Sequence, residues 1–197
     1  MNVSIKIIAL FFLLSEVFMT LEMLDKSVRR VPDFPKKGIL FYDITGILVN
    51  PEAFKYVLEK CYEIYKDAKI DAVAGVESRG FVFAAPLAEK LGIPLILIRK
   101  KGKLPGDTYE CSYALEYGTA TIEVQKSDIS KGQKVLVIDD LIATGGTLAA
   151  AKNLIEMGGG EVTDFFGVIG LPFLNYEKVL APCKVTTLIN YDGERTF

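Results

Sequence analysis

From Asn50 onward, short apolar runs alternate with segments of helical periodicity, and that alternation restricts the chain to few architectures. Runs of strand length fall at Asp71–Val76, Leu95–Ile98, Thr119–Val124, Val135–Ile138, Phe165–Ile169 and Val185–Ile189. Strands this apolar need cover on both faces, which is the environment of a parallel sheet between helices. Helix signals occupy the intervals. Asn50 is a capping residue, Pro51 suits the first helical position and Glu52 the positive end of the dipole. Phe54, Val57, Leu58, Cys61, Tyr62 and Tyr65 then recur at steps of three and four. A second helix follows Gly80, runs through Leu91 and is stopped by Gly92 and Pro94; a third, Leu148–Met157, is closed by Gly158-Gly159-Gly160. No repeat, linker or low-complexity tract interrupts the series. The expectation is an α/β fold: a single domain with a central, mainly parallel sheet flanked by helices. In such sheets ligands sit outside the carboxyl ends of the strands, at a switch in strand order.

Composition narrows the chemistry. The 197 residues include no histidine. Ser-His-Asp and Cys-His catalysis are excluded within the chain, as is any zinc site that needs imidazole. Catalysis must rest on carboxylates, basic side chains, backbone amides or a metal carried by the substrate. Lys plus Arg number 23 against 25 Asp plus Glu, a net charge of −2, so no global basic field exists to wrap nucleic acid. The three cysteines, Cys61, Cys111 and Cys183, are far apart with no CxxC pairing. They read as free thiols of a reduced, cytoplasmic interior, Cys61 and Cys183 buried and Cys111 exposed. Residues 1–24 form an apolar extension ahead of a domain at 25–197. Its unbroken run, Ile7–Leu14, is shorter than the roughly 20 residues of a membrane span and lacks an Ala-x-Ala-like cleavage site. No stable membrane insertion is expected; a targeting segment, a helix packed on the body, or an over-long start ahead of Met19 or Met23 are the alternatives.

Three strand ends carry the chemistry. The sharpest is Val135–Thr147, where a buried strand delivers Asp139 and Asp140 to a loop of Ala143, Thr144, Gly145, Gly146 and Thr147 that feeds a helix. Small residues let backbone N–H groups approach an anion, and the helix start adds partial positive charge. The arrangement suits a sugar phosphate, whose hydroxyls donate to the acids while its phosphate accepts from the loop. The alternative is an Asp pair capping a turn beside two packing glycines. The second end, Glu77-Ser78-Arg79-Gly80, reads as an anion-binding turn with a clamping Arg79 or as a plain surface turn. The third stretch, Arg99–Leu115, reads as a long loop without regular structure, carrying Arg99, Lys100, Lys101 and Lys103: a lid or a solvated basic turn. Glu116, at its end, reads on its own as a solvated side chain.

These residues resemble the type I phosphoribosyltransferases, and among them the adenine-using members. The resemblance runs from about Val31 to Ile189 through Pro32–Ile44, Glu77–Gly80, Ile98–Gly106, Ser112–Gly118 and Val135–Thr147. It implies a phosphoribosyl diphosphate site, transfer to adenine giving AMP and diphosphate, Mg²⁺ held mainly by substrate oxygens, and a homodimer under a small irregular hood from the N-terminal segment. Asp139 and Asp140 would take the ribose hydroxyls, and Ala143–Thr147 the 5′-phosphate. Glu77 and Ser78, often joined by a cis peptide, would form the diphosphate loop with Arg79. Lys100 and Lys103 would face the diphosphate, with Arg99 reaching that of the partner subunit. Glu116 would sit over the base as its proton manager, backbone groups of Leu40 would read the amine edge, and Phe41 and Leu171 would enclose the ring. Many relatives carry Arg where this chain has Tyr42 and an acid where it has Gly170. That leaves another purine base, or a sensor of phosphoribosyl diphosphate without turnover, as alternative readings.

Overall fold

The computed structural model describes residues 21–114 and 118–193. They divide into two compact units, one ending at Val57 and one spanning Leu58–Gly193.

The first unit is not the irregular hood expected. It contains helix α1 (residues 21–27), strands β1 (Arg29–Pro32) and β2 (Leu40–Asp43), short helix α2 (Thr45–Leu48) and the start of helix α3 (Pro51–Tyr65). The strands pair antiparallel, Arg29 opposite Asp43 and Pro32 opposite Leu40. Leu24, Val28, Leu40, Tyr42, Ile44 and Ile47 are buried, apolar spacing enough to order so short a segment. Gly46 is required by packing: a Cβ there would lie 2.0 Å from the Ser27 carbonyl oxygen. Asn50 caps α3 as expected, its Oδ1 accepting from the N–H groups of Glu52 (3.2 Å) and Ala53 (3.3 Å). Val57, Cys61 and Tyr65, four apart, form the helix's buried stripe.

The second unit is built on a seven-stranded sheet of order β5-β6-β4-β3-β7-β8-β9. Its strands are β3 (Ala72–Val76), β4 (Leu95–Lys100), β5 (Thr108–Ala114), β6 (Thr119–Gln125), β7 (Lys134–Ile142), β8 (Glu161–Gly170) and β9 (Lys184–Asn190). The five strands from β4 to β9 are parallel, and β6 and β5 add an antiparallel edge. Helices α4 (Gly80–Leu91), α5 (Gly146–Met157) and α6 (Tyr176–Leu180) complete it. Gly92 ends α4 in the left-handed conformation at φ 67°.

Strand β5 corrects the sequence reading of Arg99–Leu115 as unstructured. Arg99 and Lys100 close β4, and Thr108–Ala114 pairs along its whole length with β6. The reason is a period-two pattern: Tyr109, Cys111 and Tyr113 pack inward on the core while Glu110, Ser112 and Ala114 face outward. Cys61 is buried as expected and its thiol is pushed up to about 12 by desolvation. Cys183 is only half-buried, like Cys111, because it follows α6 at the rim of the core. No helix of the described residues is long and apolar enough to cross a membrane, and residues 1–20, most of the N-terminal extension, lie outside them.

Candidate active site

Strand order changes direction at β3: the chain leaves it for β4 on one side and later returns to β7 on the other. The turn after β3, the acid pair and the glycine loop come together at this switch. β7 outruns its neighbour, pairing with β3 only to Ile138 but with β8 as far as Ile142. Asp139 and Asp140 therefore sit on a strand whose β3 side has already ended. Gly80 makes the approach possible, because a Cβ there would meet the Ile138 carbonyl oxygen at 2.6 Å and the Asp139 Cα at 3.2 Å. The turn after β3 is thereby pressed against the two acids.

Asp140 is 4% exposed and accepts from Arg79 Nε at 2.5 Å. Asp139 keeps slight solvent contact but is closely surrounded by protein. Desolvation first, then the adjacent Asp140 carboxylate, pushes its pKa well above the usual range. Placing the Asp139 carboxyl in so desolvated a spot beside a second acid makes a full negative charge on it costly. Beyond the pair, Ala143–Thr147 wraps a small open pocket that Asp139 also lines. Gly145 precedes α5 at φ 82°, a conformation costly for other residues, and among the described residues no side chain caps the helix. The first-turn N–H groups of α5 are left to an anion. Thr147 Oγ1 donates to Tyr113 Oη at 3.3 Å, bringing the end of β5 to this loop.

The third predicted stretch is tied to the second. Glu77 accepts from Arg99 Nε and Nη2, both at 3.2 Å, and from the Lys100 N–H at 2.9 Å. Burial raises the Glu77 carboxyl, but these donors outweigh it and hold its pKa below the usual value. Arg99 Nη1 also donates to the Lys103 carbonyl at 3.0 Å. The Glu77–Ser78 peptide is cis, as the resemblance implies.

Sequence reasoning missed Glu123. Buried on β6, it accepts from the N–H groups of Lys103 and Leu104, each at 2.8 Å. Its desolvation is outweighed by backbone donors from Leu104, Gly102 and Lys103, so its pKa is lowered. The signal was an acid at a position expected to face the core, where only a buried partner makes it tolerable. Lys101 pairs with Glu110 at 2.6 Å. Leu171 follows β8, 8% exposed, its N–H held by the Ile142 carbonyl at 2.9 Å. A Cβ at Gly170 would meet Asn190 Oδ1 at 2.3 Å and Tyr176 Oη at 2.6 Å, so a side chain there requires both groups to shift. In the first unit, Leu40 is buried and the Phe41 ring is met edge-on by Phe34, centroids 5.0 Å apart. Glu116 lies outside the described residues.

The phosphoribosyl transferase domain family matches residues 43–169. Over 174 residues, 88% of this chain and 92% of the relative, the chain is 68% identical to the adenine phosphoribosyltransferase of Treponema denticola. The crystal structure of adenine phosphoribosyltransferase from Thermoanaerobacter pseudethanolicus superposes with a TM-score of 0.83 at 43% identity, covering 87% of this chain and 99% of that one. That of Saccharomyces cerevisiae, complexed with adenine and an imino-altritol bisphosphate, gives 0.80 at 37% identity over 86% and 98%. Likeness of this extent, on top of a phosphate loop and acid pair at the same sheet end, has one meaning: the chain belongs to the phosphoribosyltransferase family, among the adenine phosphoribosyltransferases.

Proposed function

We propose that the protein transfers the phosphoribosyl group of phosphoribosyl diphosphate to adenine, forming AMP and releasing diphosphate, a salvage of the free base. The observation that carries this reading is the union, at one sheet end, of the Ala143–Thr147 loop opening an uncapped helix with the Asp139–Asp140 pair. A sugar phosphate needs both: phosphate oxygens accept from the loop while ribose hydroxyls donate to the acids. The choice of adenine is supported by the relatives, one of them solved with that base.

As the diphosphate leaves, positive charge builds on the sugar carbon, an oxocarbenium-like state akin to glycoside transfer. Asp139 and Asp140 hold the sugar so that this carbon faces the base. Arg79, Lys100 and Lys103 offset the charge of the departing diphosphate. Glu116 manages the ring proton of adenine, Phe41 stacks on its face, Leu171 closes the other, and backbone groups of Leu40 read the amine edge. Among the described residues no three metal-ligating side chains cluster; a Mg²⁺ arriving on the substrate would be held mainly by substrate oxygens and water, and would neutralise diphosphate charge. The enzyme acts as a cytoplasmic homodimer in which Arg99 reaches the partner's diphosphate, exchanging Glu77 for that ligand.

The test is direct. Purified protein is incubated with phosphoribosyl diphosphate, Mg²⁺ and adenine, hypoxanthine or guanine in turn. AMP with stoichiometric diphosphate is expected from adenine alone. IMP without AMP would reassign the base, and tight ligand binding without turnover would make the protein a sensor.

A further inference from the structure

Tyr113 has no place in the chemistry above, yet its hydroxyl meets the phosphate loop. It is the penultimate residue of β5, and its ring packs on the core that α5 helps to form. Its Oη accepts from Thr147 Oγ1 at 3.3 Å. A Cβ on Gly146 would find Tyr113 Cδ2 and the Ala114 carbonyl oxygen both 3.9 Å away, so the strand end lies directly on the loop. Thr147 is thus contacted from two sides: it lines the pocket, and it holds β5.

A hydroxyl has one proton to donate and two lone pairs to accept with. Thr147 spends its proton on Tyr113. An anion in the loop accepts only, so it competes for that same proton. Tyr113, which also carries a proton, resolves the competition if the bond between the two hydroxyls reverses. We propose that Tyr113 is a positioning residue: when a sugar phosphate enters the loop, Thr147 donates to a phosphate oxygen and Tyr113 donates to Thr147. Hydrogen bonds in such a chain strengthen one another. The phosphate end of the substrate thereby pins the end of β5, two residues before Glu116 in the sequence. Phosphate occupancy and the end of β5 are linked through two hydroxyls.

The inference rests on the phosphate-loop reading but not on adenine chemistry, so the probe is ribose 5-phosphate, which has the 5′-phosphate and neither diphosphate nor base. Its affinity is measured by calorimetry for wild type, Tyr113→Phe, Thr147→Val, Thr147→Ser and the double variant Tyr113→Phe/Thr147→Val. Tyr113→Phe keeps the ring and should weaken binding about fivefold, the scale of one hydrogen bond. Thr147→Val should weaken it by more, and the double variant should be no weaker than Thr147→Val alone. Thr147→Ser keeps the hydroxyl and should bind like wild type. In steady-state assays Tyr113→Phe should raise KM for phosphoribosyl diphosphate and leave KM for adenine unchanged, a split that loosened packing would not give. Unchanged binding in Tyr113→Phe, or losses that multiply in the double variant, would overturn the relay. Failure of wild type to bind ribose 5-phosphate would remove the phosphate site and the relay together. Binding without AMP formation in the wild type would instead sink the transfer reaction and leave the relay standing.

Discussion

The phosphate loop and the basic arm both present positive character to an anion, by opposite means. In Ala143–Thr147 the donors are main-chain N–H groups, set by the register of β7 with β8 and by the φ of Gly145. They need no side-chain rearrangement. In Arg99–Lys103 the donors are long side chains and turn amides already held by carboxylates: Arg99 by Glu77, Lys101 by Glu110, and the turn's N–H groups by Glu123. The loop's main-chain donors are ready at rest and only its Thr147 hydroxyl must turn, whereas the arm must exchange ion-pair partners. Recognition by the loop should therefore tolerate salt, while that by the arm, whose side chains are partly exposed, should weaken as salt rises.

The largest break is expected at Asp139. Asp139→Asn should lower kcat/KM for phosphoribosyl diphosphate about 10²-fold, the scale of a charged hydrogen-bond partner lost, with KM for adenine little changed. The same variant should be more stable at neutral pH. With its pKa raised in the folded state, Asp139 favours folding below its ordinary value, and that contribution is lost as pH rises through the raised one. Thermal melts should show the Asn variant ahead at pH 8 and level at pH 4. Sugar diphosphate affinity in the wild type should move the other way, improving as pH rises and Asp139 loses its proton.

Gly145→Ala attacks the loop's preset backbone. A left-handed Ala costs about 1–2 kcal/mol, and its Cβ would lie 3.2 Å from the Leu180 side chain. Ribose 5-phosphate affinity should fall about tenfold at low and high salt alike. Glu77→Gln tests the arm: freeing Arg99 should tighten diphosphate binding about threefold at low salt, an advantage that fades at 0.5 M salt. An equal effect at both salts would erase the distinction between the two regions. Smallest is Glu123→Gln, expected to lose about 1 kcal/mol in urea unfolding at pH 7. Its lowered folded pKa stabilises the protein above the ordinary glutamate range, and that contribution is lost as pH falls through the lowered value, so the two proteins should converge in acid below it.

What could be read in advance follows the same division. The loop, the acid pair and the turn after β3 are contiguous in sequence, dense in glycine, and sit where short apolar runs end. The arm's partners are not contiguous: Glu77 precedes Arg99 by 22 residues, and Glu123 follows Lys103 by 20. A cluster of cations announces itself; the carboxylates that hold it do not. β5 was missed for a related reason. Its inward residues are two tyrosines and a cysteine spaced by Glu110 and Ser112, a half-buried edge strand whose alternation is outweighed by the lysines before it. The first unit's hairpin was hidden by Pro32-Asp-Phe-Pro, which reads as irregular chain.

The uncapped start of α5 reaches beyond catalysis. A helix whose opening N–H groups find their acceptors on a dissolved metabolite has part of its secondary structure supplied by mass action. Ligand at a hundred times its dissociation constant adds about 2.7 kcal/mol to the folded state. Set against the 5–15 kcal/mol that separates most folded domains from unfolded chains, that is a sizeable share. The lifetime of this protein in a cell should rise and fall with the supply of its own phosphorylated sugar.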